Sequence, residues 1–438
     1  MATVYDTWHK SHPRPTDKPC REHRGKYPTA DHGKGKRWQV RYRDPQGRQK
    51  KEDFELKSKA DTRVAELKAA LDDGTYVDPA ATKVTLGVYA QKWLKSNTAG
   101  PTTEVRYGGV IRNHIVGRLG HFEMRVFNDP EPVRTWIKEL QDVPLEASTI
   151  GGIGDVLSSI FDAAVDSGIL KRNPCRANSV TWPKVPPKPV VPWTRERVLA
   201  VLDGLPASFR AGGAVGVGCG LRQGEIFALT EGDIDFEGGW LHVNQQIRIV
   251  GTKMVFALPK GDKIRSVPMS PATAEALRTH IAEFKATAVT LPWHRPDGKP
   301  KRLELLFVDA KGKPYNRSVF NQGVWKRALA HAGVIPPRVT GAQYFEAAPD
   351  DGMHALRHTY ASAQLEGGTS IKALAVYLGH SDPGFTLRTY THLMPSSEGR
   401  SRSAADAFLL AGTGVEGDPG VGREGTSGGM CPQCALAA

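Results

Sequence analysis

Strict alternation of apolar and polar positions is confined to a few short stretches of the chain, and the first lies near the N-terminus. In "RWQVRYRDPQGRQKKEDFEL" Trp38, Val40 and Tyr42 alternate with Gln39, Arg41 and Arg43 ahead of a Pro-Gln-Gly turn, which predicts a β-hairpin with one apolar and one basic face. The period then changes. "SKADTRVAELKAALDDG" carries apolar residues at helical spacing, with Ser58 and Asp61 as the expected N-terminal cap and Gly74 closing it. From Thr85 to about Cys175 four further stretches, "TLGVYAQKWLKS", "TTEVRYGGVIRNHIV", "DPEPVRTWIKELQ" and "ASTIGGIGDVLSSIFDAAVDSG", repeat their apolar residues every three or four positions. They predict a small four-helix bundle.

"WPKVPPKPVVPW" (182–193) follows, with five prolines in twelve residues, and reads as a stiff extended linker. Beyond it come a helix from Thr194, a glycine-rich apolar segment, short strands around "GWLHVNQQIRI" and "KMVFALPKGDKIRSVPM", and helices to about Leu410. The last stretch, 411–438, has almost no apolar mass and is expected to be a flexible tail. The chain therefore reads as an α+β multidomain protein. Its expected parts are a basic hairpin/helix module (1–80), an all-α bundle (81–182), a linker (183–193) and a mixed, mainly-α domain with a small antiparallel sheet (194–410). No internal repeat is evident.

The 438 residues leave room for two or three cores, and no apolar run approaches the roughly 18 residues of a membrane span. Five scattered cysteines argue against a disulfide framework, so a reducing cytoplasm is the expected compartment. The formal charge of +13 favours a polyanionic partner. Its placement narrows the choice: residues 1–59 hold 16 Lys and Arg against 8 Asp and Glu. Arg37, Arg41, Arg43, Lys50 and Lys51 are the candidate DNA contacts there, the alternative being a hairpin whose charges only face water.

Candidate chemistry lies in the last large domain. "CGLRQGEIFAL" sets Arg222 and Glu225 on one face of a starting helix, "LPKGDKIRSVPM" offers Lys260 before a hairpin tip, and "HALRHTYAS" places His354 and Arg357 at i and i+3 beside His358 and Tyr360. "LGHSDPGFTLRTYTH" adds His380 and Tyr390. Two guanidiniums can hold phosphate oxygens bidentately, a lysine can protonate a leaving oxygen, histidines can relay protons, and a tyrosine can form a covalent intermediate. Lys263 or Arg265 could stand in for Lys260. Tyr360 and Tyr377 are rival nucleophiles, although both lie on apolar helical spacing, and His354 and His358 could be structural histidines.

In order and spacing, "GLRQGE", "PKGDK", "HALRH", "LGH" and "TYTH" resemble the signature of the tyrosine recombinases, the phage-integrase family, in an actinobacterial-type arrangement with an N-terminal arm-binding-like module. The resemblance is detailed over roughly 190–400 and looser before it. It implies that Arg222, Lys260, His354, Arg357 and His380 surround a scissile phosphate. Tyr390 would attack it to give a 3′-phosphotyrosyl intermediate, Lys260 would serve as general acid, and Glu225 and His358 would support the arginines and the site. The cationic surroundings are expected to favour the Tyr390 phenolate. No metal or cofactor is expected, since the cations are side chains.

The partners implied are double-stranded DNA attachment sites, a homotetramer on paired sites, an accessory directionality factor and a host DNA-bending protein, in a nucleoid-associated cytoplasmic setting. Two other readings stand beside a site-specific recombinase: a DNA-relaxing enzyme resembling type IB topoisomerases, and a catalytically silent DNA-binding regulator. Residues 403–410, "SAADAFLL", are expected to dock on a neighbouring protomer or to pack back on their own domain. Cys431 with Cys434, and His9, His12, Cys20 and His23, have partial zinc-ligand spacing but are not taken as metal sites. The long segment 335–353 has no evident role in the sequence.

Overall fold

The computed structural model describes residues 2–391 apart from 46, 75, 78–80 and 187, together with 402, 405, 406, 408 and 409. Its N-terminal part is an antiparallel sheet of β1 (Thr3–Asp6), β2 (Trp38–Arg43) and β3 (Gln49–Phe54), in that order. The expected hairpin is β2–β3, with Arg41 opposite Lys51 and Tyr42 opposite Lys50. β1 was not foreseen, because four residues separated from β2 by a long polar stretch give no periodic signal. Helix α1 (Lys57–Asp72) covers the apolar face, where Val40, Tyr42, Ala60 and Leu67 are buried. The expected Ser58 cap does not form. With β3 ending at Phe54 the helix starts at once, so side-chain-neutral Leu56 holds the cap position and Ser58 lies inside.

The bundle follows as α2 (Leu86–Ser96), α3 (Pro101–Val110), α4 (Val116–Leu119), α5 (Glu131–Gln141) and α6 (Ala147–Asp166). A π turn at Ile111–Ile115 joins α3 to α4, so the second expected helix is two segments with a bulge. Phe127, Trp136, Leu157, Ile160 and Phe161 form the centre of the bundle core. Trp182, at the head of the proline-rich segment, is pressed onto α6: a Cβ on Gly154 would fall 2.3 Å from its ring, and its indole N–H donates to the Cys175 carbonyl at 3.3 Å. The linker's other end is anchored too. Trp193 stacks on Trp325 at 6.1 Å, and its backbone N–H donates to Thr359 Oγ1 at 3.0 Å.

The largest core belongs to the remainder: α7 (Arg195–Asp203), α8 (Ala207–Cys219), α9 (Gln223–Ile226), β4 (Ile234–Asp235), β5 (Trp240–Val243), β6 (Gln246–Val250), β7 (Lys253–Ala257), β8 (Arg265–Pro268) and α10 (Pro271–Glu283). Then come β9 (Thr287–Pro292), β10 (Pro300–Leu305), α11 (Arg317–Phe320), α12 (Lys326–His331), α13 (His354–Glu366), α14 (Ile371–Leu378) and α15 (Pro383–Tyr390). The hairpin expected at 253–269 is not formed. β7 pairs with β6, whereas β8 pairs with β5 in a β4–β5–β8 sheet, which leaves Lys260 on the exposed connection between β7 and β8. The β9–β10 pair replaces part of the expected helical run.

The segment 335–353, which the sequence left without a role, straps the linker to the start of α13. Asp350 pairs with Lys188 and Asp351 with Arg197, while Trp325 donates its indole N–H to the Asp351 carbonyl at 2.7 Å. Its acidity thus neutralises basic residues in and after the linker, beside His354.

Candidate active site

Helix α8 ends at Gly220, whose φ of +64° is left-handed, and a Cβ there would lie 2.3 Å from the Tyr360 ring. The turn frees the Gly220 carbonyl to accept from Arg357 Nη1 at 2.7 Å. Helix α14 ends the same way at Gly379, φ +63°, and the Gly379 carbonyl accepts from Arg222 Nη2 at 3.4 Å. Two glycine-terminated helices therefore aim backbone carbonyls at two guanidiniums that are distant in sequence.

Glu225 is the anionic centre. Fully buried at the start of α9, it accepts from the Arg222 backbone N–H (2.9 Å) and Arg222 Nη1 (3.0 Å), and from Arg265 Nη1 (3.0 Å) and Nη2 (2.7 Å). Arg265 also donates Nε–H to the Tyr377 carbonyl at 2.7 Å. Burial alone would raise the Glu225 pKa, but the Arg265 hydrogen bonds and charge, with Arg222 behind them, overcome it and bring the carboxyl to about 2.

Arg357 is 1% exposed and joins the network through the Leu378 carbonyl and through His380 Nε2 at 3.1 Å. Its Nε is buried with no hydrogen-bond partner among the described residues. Since a guanidinium only donates, His380 Nε2 must accept, which places the ring proton on Nδ1, 2.7 Å from the buried Thr386 Oγ1. Burial first, and then Arg357, Arg222 and Arg265, push the His380 pKa down to about 4, in keeping with that neutral tautomer.

Tyr390, on α15, is 1% exposed, and its hydroxyl lies 2.8 Å from His358 Nδ1. The expected preference for a phenolate is not borne out. Burial raises the Tyr390 pKa, and the opposing pull of Arg357 does not offset it, so the phenol stays protonated. His358 is lowered by burial and then by Arg357, hence neutral and able to accept. His354 packs edge-on against it with ring centroids 4.7 Å apart, and burial of its surroundings, His358 and Arg357 lower its pKa, even though the residue itself faces solvent.

Of the eight anticipated residues, Arg222, Glu225, Arg357 and His380 share one hydrogen-bonded network, His358 and Tyr390 form a pair within reach of the Arg357 charge with His354 at its edge, and Lys260 is exposed outside them. Tyr360 is a core residue lying on Gly220, and Tyr377 contributes its carbonyl to Arg265. Thr386 was missed as a member, and Arg265, named only as a stand-in for Lys260, is instead a partner of Glu225. The signal for Arg265 was present: it shares the buried parity of Val267 on β8, an unusual place for a charge. Beside the cluster a cleft of about 620 Å³ is lined by Arg222, Gln246, Arg248, Arg317 and His354, with Thr102 reaching in from the bundle.

The N-terminal candidates divide. Arg41, Arg43 and Lys51 lie exposed on the sheet face opposite α1. Lys50, opposite Tyr42 in the register, falls on the α1 side, because the period-2 rule puts neighbours on opposite faces. Arg37 spends its charge on Asp6, with Nη2 3.0 Å from Oδ2. The His9, His12, Cys20, His23 set is also revised: His12 is exposed, and His32 stands with the other three. Cys431, Cys434 and the expected tail lie outside the described residues. So do 403, 404, 407 and 410 of the 403–410 stretch; of its described residues, Phe408 and Leu409 are strongly exposed.

Residues 196–396 match the phage integrase family. The chain is 26% identical over 380 residues to a tyrosine recombinase XerC-like protein of Caldanaerobacter subterraneus subsp. tengcongensis, covering 81% of this chain and 91% of that one. It is 24% identical over 365 residues to the integrase of Mycobacterium phage L5, covering 81% and 89%. Among solved structures, the Tn1549 transposon integrase in complex with a circular intermediate DNA has the same fold at 21% identity, with a TM-score of 0.60 over 74% of this chain and 99% of that one. The matched region, residues 196–396, holds the whole Arg222–Glu225–Arg357–His380–Tyr390 cluster, and it is this region that carries the likeness to the phage integrase family of tyrosine recombinases.

Proposed function

We propose that the protein is a site-specific DNA recombinase that cuts and rejoins DNA through a covalent link between Tyr390 and a 3′-phosphate. The observation that carries the reading is a buried tyrosine whose hydroxyl touches a neutral histidine within a cluster of arginines that has too few anions of its own. Arg222, Arg265 and Arg357 surround one carboxylate, Glu225, and a phosphodiester would supply the missing negative charge.

Each side chain then has a task. Arg222 and Arg357 hold the non-bridging oxygens, the latter with the Nε–H that has no hydrogen-bond partner among the described residues. Tyr390 O attacks phosphorus and passes its proton to His358 Nδ1 as the P–O5′ bond breaks, and the departing 5′ oxygen takes a proton from Lys260 once DNA draws the β7–β8 connection inward. His354 and His380 donate hydrogen bonds to the developing charge. One phosphoester replaces another, so no nucleotide hydrolysis is required, and attack by a second duplex's 5′-hydroxyl releases Tyr390. The exposed Arg41, Arg43 and Lys51 bind flanking DNA, the bundle and the catalytic region clamp one arm, and four protomers act on two paired sites, because strand exchange needs four cleavages and each chain carries one Tyr390. An accessory directionality factor and a host DNA-bending protein would set the outcome on the nucleoid.

A nicked suicide duplex carrying the target site tests the nucleophile. Wild-type protein becomes covalently bound to DNA, and Tyr390→Phe binds the same duplex without forming the adduct. An adduct from Tyr390→Phe, or one mapping by mass spectrometry to Tyr360 or Tyr377, refutes the assignment.

A further inference from the structure

Between β1 and β2 run 31 residues, Thr7 to Arg37, without a helix or a strand, and none of them belongs to the apolar core under α1. Ordered connections of that length without a core of their own are uncommon and need another source of stability. The stretch carries nine Lys and Arg against three Asp and Glu, so its own charge works against a compact fold. What it does have is a convergence of His9, Cys20, His23 and His32, whose ligand atoms all lie within 4.8 Å of one another.

Three of the four ligand atoms form one face of a tetrahedral centre. Cys20 Sγ lies 3.5 Å from His23 Nδ1 and 3.2 Å from His32 Nε2, and those two nitrogens are 3.4 Å apart. Metal–nitrogen bonds of about 2.05 Å and a metal–sulfur bond of about 2.3 Å give tetrahedral edges of about 3.3 Å for N···N and about 3.6 Å for S···N. Hydrogen bonding does not explain the triangle. Each ring nitrogen has either one proton or one lone pair, directed along a single line, so three mutual contacts cannot all be hydrogen bonds. The fourth vertex is His9: it is 4% exposed, its Nδ1 is 2.9 Å from Asp6 Oδ2, and its Nε2 is buried with no hydrogen-bond partner among the described residues. Asp6 is in turn held by Arg37. A carboxylate on the far nitrogen of a ligating imidazole fixes its tautomer and orientation, as in metal centres generally.

We propose that His9, Cys20, His23 and His32 bind a structural Zn²⁺ ion that folds the 7–37 loop onto the N-terminal sheet. Three neutral imidazoles and a thiolate are a borderline-soft set that suits zinc, and four protein ligands leave no open position for catalysis. On binding, the Cys20 thiol releases its proton to solvent, leaving the centre at +1 beside the Asp6 carboxylate. The ion thus links the basic loop to the sheet that carries Arg41, Arg43 and Lys51.

The test uses the full chain. Protein purified without chelators should contain about one zinc ion per chain by elemental mass spectrometry, and exchange with Co²⁺ should produce the visible bands of tetrahedral cobalt with a thiolate charge-transfer band. Cys20→Ala and His32→Ala should lose the ion, whereas His12→Ala keeps it. Because a ligand variant could misfold, wild-type protein is also treated with 1,10-phenanthroline: trypsin should then cut within residues 7–37 while the catalytic region stays resistant. A wild-type protein that takes up no cobalt, a zinc that survives Cys20→Ala, or one lost only on changing Cys431 and Cys434, overturns the assignment.

Discussion

Replacing Glu225 by Gln tests the reasoning about the cluster most directly. All four hydrogen bonds to its two oxygens come from Arg222 and Arg265, so the amide keeps the shape, removes the charge, and turns one acceptor into a donor facing guanidinium donors. Two independent estimates of the cost agree. Removing one partner of a buried ion pair costs about 3–5 kcal/mol. The carboxyl's fall from 4.5 to about 2 corresponds to about 3 kcal/mol of stabilisation by the charged form. Because the folded value is depressed, that stabilisation is complete above 4.5 and is lost as pH falls toward about 2. Hydrogen–deuterium exchange at pH 7 should show α9, α13 and α14 opening about 100-fold more readily in Glu225→Gln, with the bundle helices unchanged. The variant should also lose the stability change of the 4.5-to-2 window, since no carboxyl remains to titrate. Glu225→Gln with Arg265→Met, which removes both charges, should recover much of the protection but not the covalent adduct. Protection unchanged in the single variant, or a double variant no better than the single, would refute the account of Glu225 as the anchor of the arginines.

The His358–Tyr390 contact predicts that His358→Ala slows adduct formation about 100-fold, the usual order for a proton acceptor, while DNA affinity is kept. Since burial lowers the His358 pKa, the wild-type acid limb should fall below the ordinary histidine range, and a limb unmoved in the variant contradicts the role. Deleting residues 1–80 should leave cleavage at the crossover site, abolish efficient recombination, and flatten the dependence of DNA binding on salt concentration; full recombination by the truncated chain would reduce the N-terminal basic face to solvated surface. Truncation after Pro395 removes exposed Phe408 and Leu409 and should abolish four-protomer complexes with single-site binding intact, as gel filtration on paired sites would report.

What the sequence made legible follows from the range of each interaction. The β2–β3 hairpin and the bundle helices rest on local periodicity, and both appear. β1 and the crossed pairing of β5 with β8 depend on partners far along the chain and were not visible, and the local β9–β10 hairpin was read as part of a helical run. The same distinction holds within the site. Arg222, Arg357, His380 and Tyr390 were found from local motifs, whereas Arg265, named only as a stand-in for Lys260, acts through Glu225, 40 positions away, a role signalled only by a charge on an apolar strand parity. His32 was missed beside His9, Cys20 and His23 because the eye stops at short ligand spacing, while a loop without secondary structure can close on itself over any length. Lys260 shows the converse: a good local motif does not fix where a loop lies before its ligand arrives.

Under the proposed function, a phosphodiester would offset the surplus positive charge that sets the site's protonation pattern. Among the described residues hydrogen-bonded in the cluster, three guanidiniums face one carboxylate, and burial with this surplus positive charge lowers the pKa of Arg357 and of His380 and keeps His358 neutral. A phosphodiester entering between Arg222 and Arg357 would reverse the sign of that field at His380, whose Nε2 would leave Arg357 and take up a proton to donate to the phosphate. The same anion would disfavour a Tyr390 phenolate, so the free anion need not form before attack. The proton can leave for His358 as the O–P bond develops, and a buried, protonated Tyr390 with its hydroxyl 2.8 Å from His358 Nδ1 suits such a step. Proton uptake on DNA binding should then grow between pH 7 and 5, and titration calorimetry in buffers of different ionisation enthalpy measures it. In Tyr390→Phe the uptake should persist, because His380 rather than the nucleophile takes the proton; no uptake in either protein would place the compensating charge elsewhere.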